Sequence, residues 1–225
     1  MPRDTFGKHM NELQSDLLRL GELTERTILD GLEALKTRDR VLAQSIIEHD
    51  DGINKMRYNL EERCYELIAT QQPLASDLRE IISILLIAIE LERIADHSKN
   101  LGEIVIYMGT EPLLKPLVDI PRMAMICREM LSQSLEAFSR KDVLMARAVC
   151  DRDDELDHLY QQIFRELMTY VVDDPRTVQR ALNLLFAAHN LERIGDRVTN
   201  IGERVIYAAT GQLEERNTDA PIRTS

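Results

Sequence analysis

With 225 residues and 44% hydrophobic content, the chain has ample apolar mass for a packed core. Aromatic residues make up only 4%, tryptophan is absent, and the dominance of Leu, Ile, Ala, Glu and Arg favours helices over sandwiches or barrels. A net charge of -11, from 28 Lys and Arg against 39 Asp and Glu, argues against a nucleic-acid groove, which needs a basic surface to displace counterions; cations or basic protein surfaces are the expected partners.

The opening "MPRDTFGKHMNELQSDLLRL" has neither the apolar core nor the cleavage site of a signal peptide. A first helix is expected from about Asp4 to Thr37. A second starts at Asp39, a residue suited to N-capping, and sets Leu42, Ile46, Ile53, Met56, Leu60, Cys64 and Leu67 at threes and fours along one seam. A third follows "QQPLASD" and runs to about Met108, before a proline-rich linker, "GTEPLLKPLVDIP". Within it "IISILLIAI", bounded by Glu80 and Glu90, is about half of what a bilayer span needs, so no direct membrane insertion is expected. Cys64, Cys127 and Cys150 are odd in number and widely spaced, which fits a reducing cytoplasm better than a disulfide framework.

The second half repeats the first. "KTRDRVLA" is echoed by "SRKDVLMA" at an offset of 103, which aligns Asp39 with Asp142 and Asp50 with Asp153. "LERIADHSKNLGEIVIYMGT" (91–110) returns as "LERIGDRVTNIGERVIYAAT" (191–210), identical at twelve of twenty positions. The slack of three residues between the two offsets falls in the turns, where insertions collect. The expected fold is therefore all-α: six long helices in two tandem three-helix bundles from an internal duplication, spanning residues 1–111 and 112–211, with a disordered polar tail at 212–225. A single six-helix bundle is the alternative.

Placed on a helical wheel from Glu92, Asp96 falls near 40°, Asn100 near 80° and Glu103 near 20°, whereas Ile94, Leu101 and Val105 lie near 180° to 220°. An acidic stripe thus faces away from the core, and Glu192, Asp196, Asn200 and Glu203 repeat it. Like charges four residues apart cost a helix roughly 0.2–0.5 kcal/mol, so their presence in both copies is understandable if a cation sits on them. Counting back through each hairpin sets Asp50 opposite the Glu92–Asp96 stretch, and Asp153 and Asp157 opposite the corresponding stretch of the second half. Two carboxylate clusters result. Oxygen ligands suit hard divalent or trivalent cations, magnesium, manganese, calcium or iron, with zinc a further candidate. His97 could add a ligand in the first half, but its counterpart is Arg197, so it is read as a solvent-facing histidine.

"ELERIADHSKN", "NLERIGDRVTN" and the turn "QQPLASDLR" resemble the PhoU family of accessory regulators of bacterial phosphate-specific transport, over essentially Asp4 to Gly211. The resemblance implies two three-helix bundles with surface metal clusters on paired acidic motifs: Glu92 with Asp96, Glu192 with Asp196, and Asp153 with Asp157. In the first half the last of these motifs reads Asp50 to Asn54, an amide in place of an acid, so weaker binding is expected there. It further implies a non-enzymatic negative regulator of phosphate homeostasis. Such a regulator contacts the phosphate ABC transporter's ATPase subunit and the phosphate-sensing histidine kinase, and is a homodimer in the cytoplasm, peripheral to the inner membrane through its partners. The competing reading is a di-metal carboxylate enzyme in a helix bundle, which needs Glu-x-x-His on two helices; only Glu155 with His158 fits, and the matching positions are Gly52 and Lys55.

Overall fold

A computed structural model describes residues 2–216. The first helix, α1 (Pro2–Thr37), ends where Arg38 enters the left-handed region at φ 57°, and Asp39 then caps α2 (Arg40–Gln71) by accepting from the backbone N–H of Val41 and Leu42. A left-handed Gln72 and Pro73 end α2, and α3 (Ala75–Met108) follows. After the linker, α4 (Asp119–Arg140) reaches the same turn again: Lys141 sits at φ 54°, and Asp142 caps α5 (Val143–Cys150) through the N–H of Met145. The chain completes α6 (Asp153–Asp173), a 3₁₀ turn at Pro175–Thr177, and α7 (Val178–Thr210). All secondary structure among the described residues is helical.

The second half departs from the expected plan at one point. Where α2 is continuous, its counterpart is interrupted at Asp151 and Arg152 into α5 and α6. "DRDD" supplies the reason: Asp153, Asp154 and Glu155 fall in the first turn of α6, where acids meet the positive end of the helix dipole, while Asp151 and Arg152 are drawn outward to Arg216 and Glu129 over 2.6 and 3.0 Å. Asp153 therefore opens a helix, while Asp50 lies within one.

Each half is a three-rod unit, α1–α3 and α4–α7, and the units lie side by side. Their central contact is the antiparallel pair α3 and α7. Leu91, Ile94, Leu101 and Val105 on α3 and Leu191, Ile194, Ile201 and Val205 on α7 are all buried in one core continuous across both halves. Each such side chain contributes about 1.5–3 kcal/mol on burial. A second seam joins α1 to α4, where Gly21 leaves the space filled by Leu135: a Cβ there would lie 2.2 Å from Leu135 Cδ1.

No helix among the described residues is long and apolar enough to cross a membrane. All three cysteines are free and buried, and burial raises the pKa of each. The segment expected to be a disordered tail begins in contact with the fold: Glu214 pairs with Arg147 over 2.6 Å, and the backbone N–H of Arg216 donates to Glu203 over 2.7 Å. The rest of that tail, 217–225, lies outside the described residues.

Candidate metal centres

The second cluster forms where α6 starts beside α7. Asp153 is surrounded by acids, and its pKa is pushed up to about 7, first by burial and then by Asp196, Asp157, Glu192 and Asp154. The space for its carboxylate is an absence on α7: a Cβ at Gly195 would lie 2.6 Å from Asp153 Oδ1 and 2.4 Å from Leu156 Cδ1. On α7, Arg193 pairs with Asp196 at 2.7 Å and His189 lies 3.3 Å from Glu192. Burial, followed by Arg193, lowers the pKa of His189.

The first cluster brings Asp50, Glu92 and Asp96 together between α2 and α3. Burial raises the pKa of Glu92, and Asp96 and Asp50 raise it further, while Arg57 opposes them. Asn54 Nδ2 donates to Asp50 Oδ2 over 3.1 Å. A lysine stands in this cluster: Lys99 Nζ donates to Asp50 Oδ2 over 3.0 Å and to Asp96 Oδ1 over 2.9 Å. Burial works against its charge, but the hydrogen bonds to Asp96 and Asp50 outweigh this and hold the ammonium above its usual range. Asp50 Oδ1 and Asn54 Oδ1 remain buried without a hydrogen-bond partner.

In neither cluster do three His, Cys, Asp or Glu side chains among the described residues already stand in a ligand arrangement. The acids converge on each place, so closing on an ion would take side-chain rotation.

Two expected ligands lie elsewhere. Asn100 Nδ2 donates to Asn190 Oδ1 over 2.9 Å, and Asn200 Nδ2 donates to Glu90 Oε2 over 3.3 Å, so both asparagines join α3 to α7. The reason is angular. At about 80° from Glu92 and Glu192 respectively, Asn100 and Asn200 are far enough round their own helices to meet the other central helix. His97 is likewise no solvent-facing residue. It hydrogen-bonds Asn190 Oδ1 over 3.1 Å, and its pKa is lowered by burial and then by Arg197 and Arg193. Its counterpart Arg197 reaches Glu90 over 3.6 Å. The motif thus carries two duplicated functions on two faces: acids towards the clusters, and a reciprocal polar seam between the halves.

Glu203 accepts from Arg216, while Glu103 is exposed. The Glu155 and His158 of the enzyme reading are engaged separately, Glu155 with Arg122 over 2.7 Å and His158 with the Asp154 carbonyl over 2.5 Å. Lys99 and Gly195 have no signal in the helical period, but the alignment of the halves marks both, as Lys99 against Thr199 and Gly195 against Ala95.

The PhoU domain profile matches twice, at residues 17–105 and 120–205. The phosphate-specific transport system accessory protein PhoU homolog of Aquifex aeolicus is 39% identical over 206 residues, covering 92% of this chain and 93% of that protein. The homolog of the same name from Pseudomonas aeruginosa is 39% identical over 209 residues, 92% of this chain and 86% of that one. The crystal structure of PhoU from Pseudomonas aeruginosa superposes with a TM-score of 0.88 at 38% identity, over 92% of this chain and all of that one. That of the phosphate transport system regulatory protein PhoU from Streptococcus pneumoniae gives 0.87 at 30% identity, over 93% and 99%. Two copies of one domain, the matching all-helical architecture and alignment along nearly the full length lead to one conclusion: the chain belongs to the PhoU family.

Proposed function

We propose that this chain is a non-enzymatic, metal-binding negative regulator of phosphate homeostasis. It acts by contact, restraining the ATPase subunit of a phosphate ABC transporter and holding a phosphate-sensing histidine kinase silent when phosphate is plentiful. In this reading it works as a homodimer in the cytoplasm, held at the inner membrane by its partners. The observation that carries the regulatory part is the family itself: relatives named as accessory proteins of phosphate-specific transport align with 92% of this chain.

The metal part rests on the second cluster. Four acids, Asp153, Asp157, Glu192 and Asp196, lie close enough that three of them raise the pKa of the fourth, and Gly195 leaves room for Asp153 beside the α7 backbone. A bound hard cation such as Mn²⁺, Mg²⁺ or iron would supply the positive charge that stabilises all four ionised together, with zinc also possible. Asp153 and Asp157 would hold it from α6, and Glu192 and Asp196 from α7. That would fix the relation of these two helices at the surface, which suits a contact regulator.

The test is genetic. Deleting the gene should derepress phosphate-starvation reporters and raise phosphate uptake in phosphate-rich medium, and the wild-type gene should restore repression. Reporter and uptake levels equal to those of the parent strain would remove the regulatory assignment.

A further inference from the structure

We propose that the cleft between α1 and α2 is a binding site for a neutral small molecule with a short apolar body and an amide-like head. The cleft has a volume of about 500 Å³, within the range of sites that take small ligands. Leu23 of α1 and Leu42, Ile46, Ile53 and Met56 of α2 form its apolar wall, and Asp50 and Lys99 line it as well. Asp50 Oδ2 accepts from Lys99 and Asn54, but Asp50 Oδ1 is buried without a hydrogen-bond partner, an arrangement that costs stability until a donor arrives. Lys99 commits two of its three N–H donors, to Asp50 and Asp96, and keeps one. An unmet acceptor and a spare donor thus stand on neighbouring groups, and an amide, with an N–H to give and a carbonyl to receive, meets both. The charges of the lining cancel, Arg26 and Lys99 against Asp30 and Asp50, which favours a neutral ligand over an ion.

The second half supplies the contrast. The helices α1 and α4 are in register at the offset of 103: Thr24 Oγ1 donates to the Leu91 carbonyl over 3.4 Å, and Cys127 Sγ donates to that of Leu191 over 3.1 Å. At that offset Arg26, Asp30 and His49 match Glu129, Gln133 and Arg152. Arg152 spans the corresponding gap, donating to Glu129 over 3.0 Å and to Gln133 over 3.3 Å on α4. The three first-half residues form no such latch. Arg26 leans on Asp30 at 3.7 Å along α1, and His49 Nδ1 turns back to the Ser45 carbonyl at 2.6 Å along α2. With its Nδ1–H donated there, the neutral ring keeps Nε2 as a further acceptor beside the cleft. Each helix satisfies these side chains on its own surface, and the gap between them stays open.

The experiment follows the methyl resonances of the full chain labelled with ¹³C-methyl methionine, in EDTA, as hexanamide is added; M56L identifies the Met56 signal. That signal should shift saturably. N,N-dimethylhexanamide, which has no N–H for Asp50, should bind about tenfold more weakly. R26E/H49R writes the latch of Arg152 and Glu129 into the first half and should weaken hexanamide binding by about tenfold or more. S45F, which fills the cleft with a ring, serves the same purpose if R26E/H49R loses helix by circular dichroism. The proposal is overturned if Met56 shows no saturable response up to the solubility limit of hexanamide, if the dimethyl amide binds as tightly, or if the folded variants bind like the parent. Each of these outcomes leaves the metal and regulatory readings untouched, because neither depends on this cleft.

Discussion

Asn100 of α3 and Asn190 of α7 meet head to head, with Nδ2 of the first donating to Oδ1 of the second over 2.9 Å, and His97 converges on the same acceptor at 3.1 Å. The mirror-related pair joins Asn200 to Glu90, so the two halves are fastened by the same positions used in both directions. Replacing Asn190 by Ala leaves Asn100 and His97 without their acceptor at a partly buried seam. The expected loss is about 1–3 kcal/mol of stability, and denaturant melts of N190A read it directly. A variant as stable as the parent would show that the seam is held by its apolar neighbours alone.

The same reasoning at the other end of the seam predicts a larger effect. Glu90 faces Arg197 at 3.6 Å and accepts from Asn200, so E90A strands a partly buried guanidinium. The expected loss is about 2–3 kcal/mol, compared with a smaller loss for E90Q, which keeps an acceptor for Asn200. Equal losses in E90A and E90Q would assign the effect to charge alone.

Asp153 makes the metal-free protein pH-sensitive. Its folded pKa, about 7, lies above the ordinary 3.8, so between those values the folded state retains a proton that the unfolded chain has released. Stability is therefore lost as pH rises through that window, and is greatest below it as far as this group is concerned. D153N removes the effect. In chelator-treated buffer it should melt higher than the parent at pH 8, by about 3 °C or more, with the gap closing towards pH 4. A lower melting temperature for D153N at pH 8 would mean that the carboxylate is stabilising even without metal.

A cation on the second cluster reverses that trend, because it favours the ionised acids. A hundredfold excess over Kd stabilises the folded state by about 2.7 kcal/mol, which in a chain of this size raises Tm by about 5–10 °C. The rise should grow with pH between 5 and 8 and vanish on chelation. Thermal melts with Mn²⁺ and with EDTA, on wild type and on E192Q/D196N, decide it. An equal rise in both would place the ion elsewhere.

Gly195 is where the second cluster is sterically most exacting. G195A puts a methyl within 2.4 Å of Leu156 Cδ1 and 2.6 Å of Asp153 Oδ1, so both side chains must shift. The expected cost is about 1–3 kcal/mol, with a concurrent fall in Mn²⁺ affinity from displacement of Asp153. The equivalent exchange in the first half, A95G, meets no steric conflict and should cost the helix propensity difference of about 1 kcal/mol plus about 1 kcal/mol for the buried methyl it removes, with no effect on the second cluster.

Much of this architecture was legible in the residues themselves. Asp39 and Asp142 announce their helices because a short acceptor side chain satisfies N–H groups at a helix start wherever it occurs, and Pro73 stops one for equally local reasons. The duplication was legible as well, and so was the convergence of Asp50 on Glu92 and Asp96, because two helices joined by a short turn must run back along each other. What the residues alone left undivided was the purpose of each repeated position. Asp96 and Asn100 are only about 40° apart on α3, yet one faces α2 and the other α7, a division that exists only once the third helix and the other half take their places. The break before Asp153 and the ammonium between Asp50 and Asp96 were decided in the same way. Each depends on groups distant in sequence, Arg216 and Glu129 in one case and the facing helix in the other. Charge and close approach act through space, and a helical period reports only the angle at which a side chain leaves its own axis.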